Sequence, residues 1–211
     1  MEILQPSYEL LFPETPEDVD RMLSRLEYIG RKCYKSEEKI TKDSKFKFIR
    51  MLRDNNHTAM IEHSHMQVVF VTDRGITHEL VRHRIASYAQ ESTRWCNYGG
   101  KGIKVIPPGN IRNHPDPEVW QRWLQAMGED QAHYDFFISK GLKPGDARSV
   151  LPTCLKTEIA VSTNFTEWRH IFQLRTALTA HPDMQRLMMK FLAEVQEFIP
   201  VVFEDIPIRD V

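Results

Sequence analysis

Three long segments with apolar residues at helical spacing limit the possible fold more than any other feature of this sequence. Thr15-Pro16 opens the first segment, Asp116-Pro117 opens the second, and the third begins near Pro182 and ends at Pro200. A side-chain acceptor followed by proline in the first turn is typical of a helix start. The predicted inward residues are Val19, Met22, Leu23, Leu26 and Cys33; Val119, Trp120, Trp123, Leu124, Met127, Tyr134 and Ile138; and Leu187, Met188, Phe191, Leu192, Val195 and Phe198.

Strands are fewer, and they do not alternate regularly with helices. Met66–Thr72 and Thr157–Asn164 have the pattern of strands, and Lys104–Ile106 is a short one. Shorter helices are predicted over 43–54 with Phe46, Ile49 and Leu52 inward, over 76–84, and over 166–179 with Leu178 inward. This order favours an α+β fold in which a small sheet packs with several long helices. A chain of 211 residues suits a single domain spanning residues 1–211.

The charge balance and the cysteines exclude several classes of protein. A net charge of −1 argues against a broadly basic nucleic-acid binder. The longest run without Asp, Glu, Lys or Arg is ten residues, from His63 to Thr72, too short to cross a bilayer. Three widely spaced cysteines give no disulfide framework, so we expect a cytoplasmic protein.

Common cofactor and metal motifs are absent or incomplete. The sequence has no G-x-G-x-x-G and no P-loop. His78-Glu79 begins a zinc-protease motif, but Arg82 stands where the second histidine belongs. We therefore predict no metal site, and a metal-dependent hydrolase that uses His57, His63, His65 and His78 is kept only as a third hypothesis.

The segment from Glu79 to Trp95 carries the most chemical information. Three guanidinium groups, an imidazole, two carboxylates and an amide fall within it. On a continuous helix, Glu79, Arg82 and His83 would share one face. Arginine binds phosphate well because its rigid fork donates two parallel hydrogen bonds. The segment predicts a local cationic site for a small phosphorylated ligand, with a solvated, salt-bridged helix and loop as the plainer interpretation.

Arg82-His83-Arg84, followed after seven residues by Ser92, resembles the signature of the flavin-dependent thymidylate synthases. Further elements resemble that family in the same order, so the resemblance covers about residues 50–180; they are His57, Glu62-His63, Arg148 to Pro152, Asn164 and Leu174-Arg175. Four positions depart from the family pattern. The family commonly has Gln at position 79 and Glu at position 90, whereas this chain has Glu79 and Gln90, as though the two were exchanged. Trp95 stands where Tyr is usual, and His170 stands where Asn is common.

The resemblance implies a methyltransferase that converts dUMP to dTMP. Methylenetetrahydrofolate would donate the carbon, and NADPH would supply electrons through FAD, which carries the hydride. It also implies a homotetramer with shared active sites, and no nucleic-acid or membrane partner. By position, Arg175 is the catalytic residue. The implied substrate-binding residues are Glu79, Arg82, Gln90, Glu91, Ser92, Thr93, Arg94, Arg148 and Arg175, and the implied cofactor-binding residues are His57, Glu62, Arg82, His83, Arg84, Gln90, Asn164 and His170.

Two further expectations follow. Ser92 is predicted to hydrogen-bond the nucleotide rather than to form a covalent intermediate, because a serine nucleophile needs an oriented base within reach. The alternative to the enzyme is a non-catalytic nucleotide- or RNA-binding module that uses the Arg82–Arg94 cluster, with Tyr88, Trp95 and Tyr98 for stacking.

Overall fold

A computed structural model describes residues 1–209 of the chain. The strands within these residues are β1 (Glu2–Ile3), β2 (Ser7–Phe12), β3 (His65–Asp73), β4 (Ala86–Gln90), β5 (Lys104–Val105) and β6 (Lys156–Asn164). The helices are α1 (Pro16–Tyr34), α2 (Ser44–Asp54), α3 (Arg74–Leu80), α4 (Gly109–Arg112), α5 (Pro117–Ser139), α6 (Pro144–Ala147), α7 (Phe165–Arg175), α8 (Pro182–Phe198) and α9 (Pro200–Phe203). Short 3-10 helices cover Glu37–Lys39, Thr58–His63 and Arg148–Val150.

The sheets are small and their strand order is not sequential. A four-stranded sheet has the order β2-β3-β6-β4, and β1 pairs in parallel with β5, with Glu2 opposite Lys104 and Ile3 opposite Val105. Helices outnumber strands and do not alternate with them. The predicted α+β fold with a small sheet and several helices is confirmed.

Two compact units divide the described residues. The first unit comprises Met1–Ser7, Phe70–Arg82 and Tyr88–Ala160. The second unit comprises Tyr8–Val69, His83–Ser87 and the chain from Val161 onward. Strands β3, β4 and β6 each contribute residues to both units. A single domain over residues 1–211 stays a prediction.

An aromatic core in the second unit holds α7 in place. Trp168 is fully buried, and its ring centroid lies 5.6 Å from that of Phe191 on α8 in an edge-to-face arrangement. The indole Nε1–H of Trp168 donates to the backbone oxygen of Met66 at 3.0 Å, which ties α7 to β3. Phe172 packs edge-on against Phe203, with centroids 5.7 Å apart. These contacts fix the axis of the helix that carries the predicted catalytic arginine.

The first unit has its own core around α5. Its buried members are Ile103, Val105, Trp123, Met127, Cys154 and Leu155. Tyr134, also buried, accepts a hydrogen bond from the backbone nitrogen of Tyr98 at 3.3 Å. The C-terminal half of α5 thereby anchors the loop that follows β4.

The helix starts agree with the sequence, whereas several ends and inward residues do not. Thr15 forms a reciprocal capping box with Asp18, and Asp116 caps α5. Helix α7 ends at Arg175 rather than near Thr179, which leaves Leu178 80% exposed. Two further predictions of burial are wrong, because Cys33 and Phe46 are exposed. Phe48, which was not predicted, is the buried phenylalanine of α2. Among residues 1–209, no helix is both long enough and apolar enough to cross a membrane.

The largest difference concerns the segment after α3. A helix predicted over 76–84 ends at Leu80, so Glu79, Arg82 and His83 do not share a helical face. The phenol of Tyr88, in the returning strand β4, donates to the Leu80 backbone oxygen at 2.7 Å. This bond satisfies a carbonyl at the helix C-terminus from outside the helix, where periodicity alone could not predict an ending.

Candidate active site

Helix α7 presents three polar side chains of the second unit. Asn164 is its N-cap, and the Asn164 side-chain oxygen accepts from the backbone nitrogen of Glu167 at 2.8 Å. Asparagine is among the best N-cap residues because its short side chain reaches this donor. The cap fixes the start of the helix, so that Glu167 and His170 lie near its beginning and Arg175 lies in its last turn.

His83 lies at the centre of a polar cluster with these residues. Its Nδ1 is 3.2 Å from Oε1 of Glu167, and its Nε2 accepts a hydrogen bond from Nε of Arg175 at 3.1 Å. The ring of His170 meets the His83 ring nearly edge-on, with centroids 5.5 Å apart. His83 and Glu167 are 4% and 8% exposed, so the contact between them is shielded from water, whereas the bond from the half-buried Arg175 is partly shielded.

The charges of the cluster follow from burial and from its neighbours. Burial, with the positive charge of Arg175 and the proximity of His170, lowers the pKa of His83 to about 4. The imidazole is therefore neutral at pH 7, with one ring nitrogen as donor and the other as acceptor. Burial also raises the pKa of the Glu167 carboxyl. Since Nε2 accepts from Arg175, the proton of neutral His83 resides on Nδ1 and points at Glu167.

The same residues form a potential cation site. His83, Glu167 and His170 place three ligand-type atoms within 4.8 Å of one another, and no other such group occurs among residues 1–209. The four histidines of the metal-hydrolase hypothesis, His57, His63, His65 and His78, do not form one there. The Arg175 guanidinium against Nε2 would repel a metal ion at His83, so the donor chemistry fits a hydrogen-bonded relay better.

The two arginines that flank His83 are exposed. Within residues 1–209 neither Arg82 nor Arg84 forms an ion pair, and both residues are exposed to solvent. Exposed arginines without a carboxylate partner suit phosphate oxygens, including those of a dinucleotide. This donor set fits the anionic part of FAD, and it is the observation that favours the predicted flavin role of these residues.

In the first unit, Gln90 ends strand β4 within a network of hydroxyl groups. Its amide Nε2 donates to Oγ1 of Thr77 at 2.9 Å and to Oγ1 of Thr157 at 3.3 Å. The Thr77 hydroxyl proton is used elsewhere, because Thr77 donates to the backbone oxygen of Arg74 at 2.9 Å.

This network gives a physical reason for glutamine at position 90. Thr77 needs a donor as its partner, and an amide supplies one whereas a carboxylate does not. With both amide hydrogens turned toward the threonines, the side-chain oxygen of Gln90 is the group left for a ligand. A carboxylate at position 90 would face the Thr77 hydroxyl oxygen, whose proton is already donated to the Arg74 backbone oxygen, so the two acceptors would repel each other.

Glu91 is held by two structural partners. The phenol of Tyr98 donates to Oε1 at 2.7 Å, and Nζ of Lys156 donates to Oε2 at 3.1 Å. Burial and the bond to Glu91 raise the pKa of the Tyr98 phenol, which keeps it protonated as the donor. Glu91 thus fixes the loop that follows β4, and its predicted contact with substrate stays a prediction.

Glu79 lies in α3. Four other nucleotide-binding candidates of the first unit lie on and beside the loop after β4; they are Ser92, Thr93, Arg94 and Arg148. Arg148 donates through Nη1 to Oγ1 of the buried Thr93 at 3.3 Å. The guanidinium carbon of Arg94 lies 5.4 Å from the centroid of the Trp95 ring. A Cβ added to Gly145 would lie 3.2 Å from Cγ of Arg94. Glycine at position 145 leaves room for Arg94 to pass. Ser92 is half-buried, and its backbone oxygen accepts from the nitrogens of Trp95 and Cys96.

The upstream elements of the resemblance belong to the second unit. His57 is exposed, and its Nδ1 is 2.8 Å from the Tyr34 hydroxyl, with the two rings stacked. Glu62 is exposed in the 3-10 helix that follows. His57 lies outside the cluster of His83, Glu167, His170 and Arg175. The cofactor roles of His57 and Glu62 stay predictions.

Sequence reasoning missed several members of both networks. Glu167 could have been found from its place three residues after the Asn164 cap, where an acidic residue is favoured at a helix start. Thr77, Thr157 and Lys156 carried no local signal, because their roles depend on residues far away in the sequence.

Comparisons with known proteins identify the family of the chain as a whole. The family model described as "Thymidylate synthase complementing protein" matches residues 17–201. A flavin-dependent thymidylate synthase from Mycobacterium marinum is 30% identical, covering 92% of this chain and 84% of its own length. One from Corynebacterium glutamicum is also 30% identical, with 93% and 84% covered. One from Pyrococcus furiosus is 29% identical, with 87% and 76% covered.

A solved structure shares the fold. The crystal structure of a UMP/dUMP methylase, PolB from Streptomyces cacaoi, bound with 5-Br dUMP superposes with a TM-score of 0.74 and 20% identity. The match covers 97% of this chain and 96% of that one. At this identity the likeness concerns the fold alone, and the family follows from the sequence matches. This chain belongs to the flavin-dependent thymidylate synthase family.

Proposed function

We propose that this protein converts dUMP to dTMP, with methylenetetrahydrofolate as the carbon donor, FAD as cofactor and NADPH as reductant. The observation that carries the proposal is the guanidinium of Arg175, held by His83 of the Arg-His-Arg signature. Relatives that cover most of the chain are flavin-dependent thymidylate synthases, and a solved structure of similar fold is a UMP/dUMP methylase with 5-Br dUMP bound.

The chemistry assigns a task to each group of residues. Negative charge develops on the uracil ring as carbon 5 reacts, and Arg175 would stabilise it through hydrogen bonds to the ring. Bound FAD would supply hydride chemistry that amino-acid side chains lack. The candidates for the nucleotide phosphate are Ser92, Arg94 and Arg148, and the exposed Arg82 and Arg84 would serve flavin phosphates, with Arg82 able to serve either ligand.

Glu79, Gln90 and His170 would complete the binding groups where the chain departs from the family pattern. The Gln90 oxygen would accept a hydrogen bond from the nucleotide, since its amide hydrogens already bind threonine hydroxyls. No covalent enzyme intermediate is proposed. Both ring nitrogens of His83 are engaged by Glu167 and Arg175, so His83 offers no base to activate Ser92.

Assembly and location are part of the proposal. A homotetramer with shared active sites is supported by large apolar side chains that the single chain exposes, such as Ile85 at 68%, Trp95 at 77% and Leu178 at 80%. A cytoplasmic location is supported by three unpaired cysteines, Cys33, Cys96 and Cys154. Light scattering during gel filtration would give the mass of the assembly, and a monomeric mass for active enzyme would contradict the tetramer.

The first test is spectroscopic and kinetic. Purified protein reconstituted with FAD should show bound oxidised flavin and should oxidise NADPH faster when dUMP is added. Arg82→Ala should lose turnover, with Arg122→Ala on the exposed face of α5 as control. Protein that never retains flavin would contradict the proposal. RNA affinity that falls steeply with salt and needs no flavin would support the binding-module alternative instead.

A further inference from the structure

Glu167 lies outside the motifs that resemble the family signature, yet it makes the most buried polar contact of the cluster. Glu167 is 8% exposed, and its carboxylate lies 3.2 Å from Nδ1 of His83. Its backbone nitrogen is held by the Asn164 cap at 2.8 Å. The carboxylate therefore projects from a fixed point at the start of α7 toward the imidazole.

The two hydrogen bonds of His83, to Glu167 and to Arg175, allow only one assignment of donors and acceptors. A carboxylate can only accept, so Nδ1 of His83 must carry the hydrogen. Nε2 then holds a lone pair, and Nε–H of Arg175 donates to it at 3.1 Å. We infer that Glu167 is a positioning residue, which fixes the tautomer of His83 and through it the orientation of the Arg175 guanidinium. This inference rests on the proposed function, since Arg175 acts on the pyrimidine only there.

Fixing Nε has a consequence for the reacting end of Arg175. The guanidinium is planar, so a bond at Nε sets the plane in which the terminal nitrogens Nη1 and Nη2 lie. Those nitrogens are the ones through which the group can meet a uracil oxygen. A donor held in place before reaction stabilises developing charge without reorganising at that moment.

The opposite tautomer would break this arrangement. A hydrogen on Nε2 would face the Nε–H of Arg175, leaving two donors opposed and the Glu167 carboxylate against a lone pair. Burial makes both mismatches costly, because water cannot replace the lost partners. His170 meets the His83 ring nearly edge-on, with the ring centroids 5.5 Å apart.

Substitutions at Glu167 distinguish a role in orienting His83 and Arg175 from a role in the stability of the fold alone. Glu167→Ala should lower kcat about tenfold to a hundredfold, while KM for dUMP changes by less than about threefold. Glu167→Gln should lose less, because the amide oxygen can still accept from Nδ1–H but the amide nitrogen also permits the wrong tautomer. Glu118→Ala removes an exposed first-turn carboxylate from α5 and is the matched control, with kcat within about twofold of wild type.

The tautomer can be observed without turnover. Long-range proton–nitrogen NMR spectra of histidine-labelled holoenzyme, with the His83 signals assigned by His83→Gln, distinguish Nδ1–H from Nε2–H. We expect Nδ1–H in the wild type and a mixture in Glu167→Gln. An Nε2–H signal in the wild type, or wild-type kcat in both Glu167 variants, would overturn the inference. A wild type without dUMP turnover would overturn the proposed function instead, and the spectra would still test the tautomer.

Discussion

The buried, neutral His83 makes the stability of this protein depend on pH between about 6.5 and 4. The pKa of His83 is lowered from 6.5 to about 4, chiefly by burial and then by the positive charge of Arg175 and the proximity of His170. The unfolded chain therefore takes up a proton at a higher pH than the folded chain does. Stability contributed by neutral His83 is complete above pH 6.5 and is lost as the pH falls toward 4.

The magnitude follows from the two pKa values. A pKa of 6.5 in the unfolded chain and about 4 in the folded one implies a loss of about 2 kcal/mol at pH 5 and about 3 kcal/mol at pH 4, relative to pH 7. Glu167 acts in the opposite sense. Its pKa is raised by burial, so its protonation favours the folded state as the pH falls. The His83 contribution must therefore be isolated by comparison with a variant.

His83→Gln provides that comparison, because glutamine is polar and cannot ionise in this range. Urea unfolding followed by tryptophan fluorescence, at one protein concentration, would give the free energy of unfolding at pH 7, 5 and 4. The free energy of unfolding of the wild type, minus that of His83→Gln, should fall by about 3 kcal/mol from pH 7 to pH 4. A difference that does not change with pH would refute a neutral, buried His83 and with it the hydrogen-bond directions assigned to the cluster.

Three further substitutions test other parts of the structure. Arg175→Ala should lower kcat by at least about a hundredfold and leave the absorbance of bound flavin unchanged; near-normal turnover would disprove its catalytic role. Gln90→Glu should lower the free energy of unfolding in urea by about 1–3 kcal/mol, because a carboxylate would face the Thr77 hydroxyl oxygen with no hydrogen between them. An unchanged free energy of unfolding would contradict that hydrogen-bond network. Arg169→Leu should cost about 2 kcal/mol, because it breaks the two-bond pair with the partly exposed Asp205; a cost under about 0.5 kcal/mol in the same assay would show that the pair contributes little.

Local signals predicted much of the fold. Thr15 and Asp116, each followed by proline, located α1 and α5 within a residue, since a cap is a contact between near neighbours. The two N-terminal strands, β1 and β2, were not predicted. Their partners are distant strands, so their short sequences carry no local signal of pairing.

The end of α3 shows most clearly where local reasoning stopped. The sequence pattern predicted a helix as far as Arg84, but the helix ends at Leu80, whose backbone oxygen accepts a hydrogen bond from the Tyr88 phenol. His83 then turns to Glu167 and Arg175, both more than eighty residues away. The spacing of the signature pointed to the right residues, whereas the relay among them depends on tertiary contacts.

We propose above that this chain transfers a one-carbon unit to carbon 5 of dUMP. The most direct test of this transfer is mass spectrometry of the nucleotide after incubation of the FAD-reconstituted protein with dUMP, NADPH and methylenetetrahydrofolate labelled with carbon-13 in the methylene group. We predict dTMP that carries one carbon-13 atom, formed by the wild type and not by Arg175→Ala. Flavin-loaded protein that returns only unchanged dUMP would contradict it.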